Sequence, residues 1–322
     1  MKKWFFLSII ALAGLVFLAF VSADDGDDDY IKWVDFDLPL AVLKQAYRYD
    51  VESQNTEHPL DFVQLLAYTA AQNWGSFKSR GESEAMDKLV SRIRAGELMH
   101  DIAGELKLYN FYFSVYNAIL GNYIGHYEIK KDGQPHMQYG LKVFSPLAKG
   151  YGYSHSDDFG NPRSYGYSRP HLGHDLFASV GTPIIAVECG TVEAMGWNQY
   201  GGWRVGIRSL DNKRYYYYAH LRKDKPYAKG LAIGSRVHAG DVIGYLGNTG
   251  YSKRENATNI KQAHLHFGLQ IIFNETQKDG SNQIWIDAYD LFRFLSQNRM
   301  EVTKTEGGEY IRAVEINNFP LE

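Results

Sequence analysis

The stretch His264-Leu265-His266-Phe267-Gly268-Leu269-Gln270-Ile271 alternates without a break. His264, His266, Gly268 and Gln270 fall on one face of a strand; Leu265, Phe267, Leu269 and Ile271 fall on the other. The pattern predicts a half-buried strand whose core face is apolar and whose open face carries two imidazoles. Side chains two apart on a strand sit roughly 6.5 Å from each other along its axis. Two histidines so placed can reach one metal ion, or one can bind metal while its neighbour handles a proton.

Two other places add to this pair. His171-Leu172-Gly173-His174-Asp175 sets a histidine and an aspartate four apart. Fully extended, those side chains would lie about 13 Å apart, too far to share a metal; a bend at Gly173 brings them toward one point. His174, between the two, then points away and reads as a solvent-facing neighbour. In the run from Arg214 to Leu221 four tyrosines imply a strand, on which Tyr216, Tyr218 and His220 share a face. With that face open, His220 looks toward His264 and His266.

Around these residues the chain has a β texture. Short strand-like runs at 183–189, 191–195, 203–208, 214–218, 242–246 and 264–273 alternate with Gly, Asp and Asn turns, Asp211-Asn212 among them. Asp287 then caps a helix over 288–298, and a polar tail follows. Before residue 126 the pattern is helical. Leu40, Leu43 and Tyr47 recur at helix spacing after Pro39, and Phe62, Leu65, Leu66 and Thr69 do so after Pro59. A charged segment over 83–95 and an aromatic one from Leu106 to Leu120 complete the set. The expected organisation is α+β: a small helical domain at 33–126, a linker at 127–142, a compact antiparallel β domain at 143–282, and a C-terminal helix and tail at 283–322. Glu52 and Asp61 read as solvated helix faces, and no catalytic constellation shows in the helical part.

The N-terminus reads as an address. Lys2 and Lys3 precede an apolar run from Trp4 to Phe20, then Val21-Ser22-Ala23 and the acidic spacer at 24–32. Residues 1–23 read as a cleaved signal peptide or an uncleaved membrane anchor, so the remainder is expected outside the cytoplasm, secreted to the wall or held on the outer face of the membrane. A membrane contact is expected only through this segment. Of the 322 residues 45% are hydrophobic and the net charge is −3, which supplies a core and carries no nucleic-acid-binding signature. The 24 tyrosines first suit strand packing. Cys189 is the sole cysteine, which excludes an intramolecular disulfide and a Cys-rich zinc site; it reads as a small filler.

His171-Leu-Gly-His-Asp175, Gly181-Thr-Pro-Ile-Ile-Ala186, Gly190-Thr-Val192, Tyr218-Ala-His-Leu221, Gly240-Asp-Val-Ile-Gly244, Gly247-Asn-Thr-Gly250 and His264-Leu-His-Phe267 occur in this order. With them the stretch from 169 to 270 resembles the M23 zinc metallopeptidases, the LytM- and lysostaphin-type peptidoglycan endopeptidases. The helical region and the approach at 151–167 resemble clostridial members. The resemblance implies one Zn2+ per chain on His171, Asp175 and His266, with His264 and His220 as catalytic histidines. Three protein ligands leave a fourth position for water, whose proton His264 would take, while His220, if donating a hydrogen bond, would stabilise the oxyanion. The implied substrate is the peptide part of peptidoglycan, with an envelope protein as a partner for the helical domain. The alternative is a non-enzymatic wall-binding scaffold on the same fold, or, more remotely, a phosphocarrier. Tyr165 and Tyr167 are expected to line the groove. Asp157, Asp158 and Asn161, which read first as turn residues, are candidates for a plug over the metal. The long stretch at 251–263 before the histidine pair leaves substrate preference open.

Overall fold

A computed structural model describes Val34 and residues 36–77, 81–131, 133–280 and 282–319. The apolar N-terminal run and the acidic spacer lie outside the described residues. The fold is α+β, with helices first and antiparallel sheets after.

The first helix, Leu40–Ser53, buries Val42, Leu43, Ala46, Asp50 and Ser53, one stripe at helix spacing. Phe62–Gln72 is buried nearly all round and opens on Asp61, whose side chain accepts the Gln64 N–H at 2.8 Å. Asp61 is thus a helix cap. Gly81–Arg94 buries Met86, Leu89, Val90 and Ile93 and leaves its charged face outside. A short helix, Met99–Gly104, leads to Tyr109–Leu120, which packs on Phe62–Gln72.

Residues 127–142, read from the sequence as a linker, instead belong to a hairpin of Ile124–Lys131 and Gln134–Leu141. Gly133, at φ +77°, makes its turn. Tyr127 and Ile129 pack on a core cluster built from Phe144, Ile185, Cys189, Met300 and Ile316. Ile316–Asn317 adds a third strand, so the polar tail returns to close this sheet. Alternation here is half-polar, which hides a strand whose other face water covers.

The main sheet has the order Arg236–Val237, Gly190–Asn198, Gly202–Ser209, Arg214–Ala219, His264–Ile271, His174–Phe177, Ser154–His155, with Ile284–Trp285 also on His264–Ile271. All these pairings are antiparallel. Its core face carries Tyr216, Tyr218, Leu265 and Phe267, all buried. The helix Tyr289–Leu295 covers that face, with Phe292 at 4.6 Å from Phe267 between ring centroids. Phe294 of the same helix packs on Tyr47 and Phe62 of the N-terminal helices, at 5.7 and 5.9 Å. The C-terminal helix is therefore the layer through which helices and sheet share a core.

A buried polar network strengthens that junction. Arg214, fully buried, donates to both carboxylate oxygens of Glu188 at 2.7 and 2.9 Å and to the Ala118 carbonyl at the end of Tyr109–Leu120. The hydroxyl of Tyr216 donates to Glu188 at 2.6 Å. The Ala118 contact turns a buried charge pair into a cap for a helix end, whose last carbonyls otherwise lack partners.

Candidate active site

Register across the sheet brings the sequence-predicted residues together. Asp175 lies opposite His266, and His266 lies opposite Ala219, so these positions share one face. Tyr215 and Tyr217 share it too, opposite Gln270 and Gly268. By alternation His220 would fall on the other face with Tyr216 and Tyr218, which are core residues. It does not. The strand stops at Ala219, and His220 takes a left-handed conformation, φ +61°, that turns its ring into the groove. The Gly201 carbonyl accepts its N–H at 2.7 Å, and its own carbonyl accepts from Gly247 at 3.0 Å, holding that unfavourable backbone in place.

His171, Asp175 and His266 each aim one donor atom at a common point, and these atoms all lie within 4.8 Å of one another. His171 Nε2 is 2.8 Å from His266 Nδ1 and 3.1 Å from Asp175 Oδ1; His266 Nδ1 is 3.3 Å from the same oxygen. His264 Nε2 stands 3.5 Å from Asp175 Oδ1, and its ring lies 4.8 Å from that of His220. All five predicted residues line one groove of about 720 Å³.

Gly173 serves this cluster by size. A Cβ there would come within 2.8 Å of His266 Cε1 and of the Phe267 carbonyl, so only glycine lets the His266 ring lie across the chain. His174 differs from expectation. It is fully buried, accepts the Ala288 N–H at Nε2 (3.0 Å) and packs on Phe292. Its face is opposite to that of Asp175, as alternation requires, but the C-terminal helix covers it.

The residues that orient the cluster came from positions that sequence spacing does not relate. His171 Nδ1 lies 3.0 Å from the Asp158 carbonyl, 3.3 Å from Asp158 Oδ2 and 2.9 Å from Arg163 Nη2. Arg163 donates to Asp158 Oδ2 at 2.7 Å and to Asp175 Oδ2 at 3.0 Å, which leaves Asp175 Oδ1 to the histidines. Asp158 thus stands behind His171 rather than over the cluster. The Nδ1 atoms of His220 and His264 donate to the carbonyls of Thr249 and Gln262, each at 2.8 Å. Tyr165 stacks on Tyr251 at 4.7 Å and Tyr167 stands edge-on to Tyr200 at 5.9 Å. Tyr200 and Tyr251 line the groove; Tyr165 and Tyr167, expected to line it, pack on them instead.

Electrostatics match a cation site. Burial alone would raise the Asp175 carboxyl, but hydrogen bonds from His171 and His266 and the nearby imidazoles hold it well below the usual carboxylate range. Burial alone would lower His171, yet the hydrogen bonds and charges of Asp158 and Asp175 outweigh it and push it up to about 9. His266 is lowered by burial, against its bond to Asp175. His220 is lowered far by burial, then by His264 and His266. An incoming cation would displace the proton that this cluster otherwise holds.

The part of the chain that holds these five residues is similar to known proteins. Residues 169–280 match the model of peptidase family M23. That segment is an M23 peptidase domain. The L-Ala--D-Glu endopeptidase of Bacillus subtilis is 40% identical over 134 residues, 42% of this chain and 39% of that protein. The glycyl-glycine endopeptidase ALE-1 of Staphylococcus capitis is 36% identical over 37% of this chain and 28% of its own length. Lysostaphin of Staphylococcus simulans is 33% identical over 41% of this chain and 23% of its own. The matched M23 segment therefore spans well under half of these relatives. A solved structure from Ruminococcus gnavus, named as a glycyl-glycine endopeptidase lytM, covers 85% of this chain and 93% of its own length, with a TM-score of 0.51 at 20% identity. That likeness is one of fold, and it extends beyond the M23 segment.

Proposed function

We propose that this chain is an exported zinc endopeptidase that hydrolyses peptide bonds of bacterial peptidoglycan. The convergence of His171, Asp175 and His266 on one point, with two further histidines beside it, carries the reading. Two imidazole nitrogens and one carboxylate oxygen are the donor set expected of a catalytic zinc with an open position. The arrangement behind them fits as well, since Asp158 takes the far nitrogen of His171 and Arg163 takes the far oxygen of Asp175. A zinc ion held there would polarise the scissile carbonyl and acidify a water.

His264 and His220 are the proposed catalytic histidines. Each gives its Nδ1 proton to a backbone carbonyl, so each presents Nε2 to the groove as an acceptor. His264 Nε2, near Asp175, is placed to take the water's proton and return it to the leaving amine. His220, kept neutral by burial and the neighbouring imidazoles, fits a second proton acceptor better than the oxyanion donor expected of it from sequence. The relatives are named for different wall bonds, L-Ala–D-Glu in one and glycyl-glycine in another. Export rests on the N-terminal sequence alone; among the described residues no helix is long and apolar enough to cross a membrane.

The test is digestion of purified peptidoglycan by the full chain, with and without chelator, read by fragment mass. Chelator-sensitive fragments are expected, and their masses name the bond. His264→Ala should keep zinc and lose at least about a hundredfold in turnover. Bound zinc with no fragments from several wall chemotypes would overturn the enzyme in favour of a wall-binding scaffold. Full activity in His264→Ala would overturn its role.

A further inference from the structure

The groove that holds the five residues continues past His266 into a patch of different character. Tyr217 stands edge-on to the His266 ring, 5.8 Å between centroids. Arg204, on Gly202–Ser209, and Arg169, on Arg169–Pro170, line the same groove. Both lie close enough to Tyr217 for their charge to oppose the rise that burial imposes on its hydroxyl. Gly201 makes room for that hydroxyl, because a Cβ there would stand 2.4 Å from it.

Two guanidinium groups act on this one hydroxyl, whereas the other cations of the region have acidic partners. Arg163 has Asp158 and Asp175, Arg208 has Glu275, Arg214 has Glu188 and Asp211, and Lys278 has Glu193. Among the described residues no Asp or Glu is in ion-pair contact with Arg169 or Arg204. Arg204 Nε is buried without a hydrogen-bond partner. Arg169 is fixed in advance, donating to the Tyr165 carbonyl at 2.6 Å with its guanidinium 4.7 Å over the Tyr200 ring. Of the acidic groups in the groove, Glu193 is taken by Lys278 at 2.7 Å, and Glu193 and Asp279 both act, with Arg204, on Tyr215, two residues back along the strand.

We propose that Arg169, Arg204 and Tyr217 form a carboxylate-recognition subsite, so that the peptide accepted carries a free carboxylate beside the bond placed at His266. The proposal rests on reading the groove as a peptidase site. It selects an acidic wall stem peptide over a neutral glycine bridge or an amidated stem. Paired guanidinium–carboxylate hydrogen bonds are charge-assisted and directional, and an amide in their place leaves the guanidinium groups unpaired. A site built for such a group discriminates against its uncharged isostere by at least about tenfold.

Calorimetry on the zinc-loaded full chain carrying His264→Ala separates binding from turnover. The probes are L-Ala–D-Glu–L-Lys with the glutamyl α-carboxylate free and the same peptide with that group amidated. The acid should bind at least about tenfold tighter than the amide. Arg204→Gln should bring that ratio to within about twofold, and Arg204→Lys should keep part of it. Arg169→Gln, at the partly exposed rim, should also lower the ratio and carries the test where Arg204→Gln fails to fold. Equal affinity for the two peptides, no measurable affinity for either, or an unchanged ratio in the folded Arg→Gln variants overturns the subsite. Failure of the peptidase reading would appear separately, as a wall digest without chelator-sensitive fragments.

Discussion

At the scale of single residues, the site depends on small groups as much as on its histidines. Gly173→Ala puts a methyl against both His266 and the Phe267 carbonyl. We expect the ring to be displaced and zinc affinity to fall about ten- to a hundredfold, the range seen when the supports of a metal ligand are lost. Equilibrium dialysis with zinc checks it, and unchanged affinity would show that the cluster tolerates the shift. His266→Ala removes a donor outright and should lose both metal and activity, whereas His264→Ala should separate the two. Much of this level was legible beforehand. The five residues stand out because imidazoles and a carboxylate on alternating or glycine-broken segments have few structural uses together. Arg163 and Asp158 were not, since nothing in their spacing from His171 and Asp175 predicts contact.

At the scale of elements, the junctions between helices and sheet carry the energetic weight. Glu188, in the bend before Gly190–Asn198, and Arg214, on Arg214–Ala219, are both buried, with Ala118 of a helix end as third partner. Glu188→Ala would leave the Arg214 cation buried with reduced compensation, at a cost of about 3–5 kcal/mol. Denaturant unfolding should show it as a lower midpoint with little change in slope; a loss below 1 kcal/mol would mean water reaches the site. Asp50 is a second junction. It accepts the Phe62 N–H and the Tyr139 hydroxyl at 2.7 and 2.8 Å. Burial raises its carboxyl to about 6, those hydrogen bonds opposing. The folded chain therefore binds this proton more tightly than the unfolded chain. Its stabilising contribution is present below about pH 4 and is lost as pH rises through 6. Asp50→Asn should accordingly gain on the wild type between pH 4.5 and 7 in parallel urea titrations, and a constant difference between the two would contradict it.

At the scale of the whole molecule, the proposed metal site joins distant parts of the chain. His171 and Asp175 lie about ninety residues before His266, so a bound ion cross-links them. A ligand that binds only the folded state stabilises it by about 2.7 kcal/mol at a concentration a hundredfold above its Kd. Zinc should raise the Tm of the wild type and leave that of His266→Ala unmoved in calorimetric scans. Equal shifts in both would place the ion elsewhere. The C-terminal segment belongs to this level too. Read as a polar tail, it returns Met300 and Ile316 to the core cluster and pairs Ile316–Asn317 with the hairpin. Truncation ahead of residue 300 is expected to expose that cluster and yield insoluble protein.

The longer strands of the main sheet, the helices and the candidate residues His171, Asp175, His264 and His266 follow from the sequence because each is a local pattern: period two, period 3.6, or a motif whose chemistry few other uses share. Three matters waited for the tertiary structure. His220 reaches the groove only because its backbone turns left-handed, against the parity of its strand. His174 is buried because a helix more than a hundred residues later covers its face. Arg169 and Arg204 become a pair only when two strands place them around Tyr217. Alternation assigns a side to each residue, but what covers that side, and which charge meets which, depends on segments far apart in the chain.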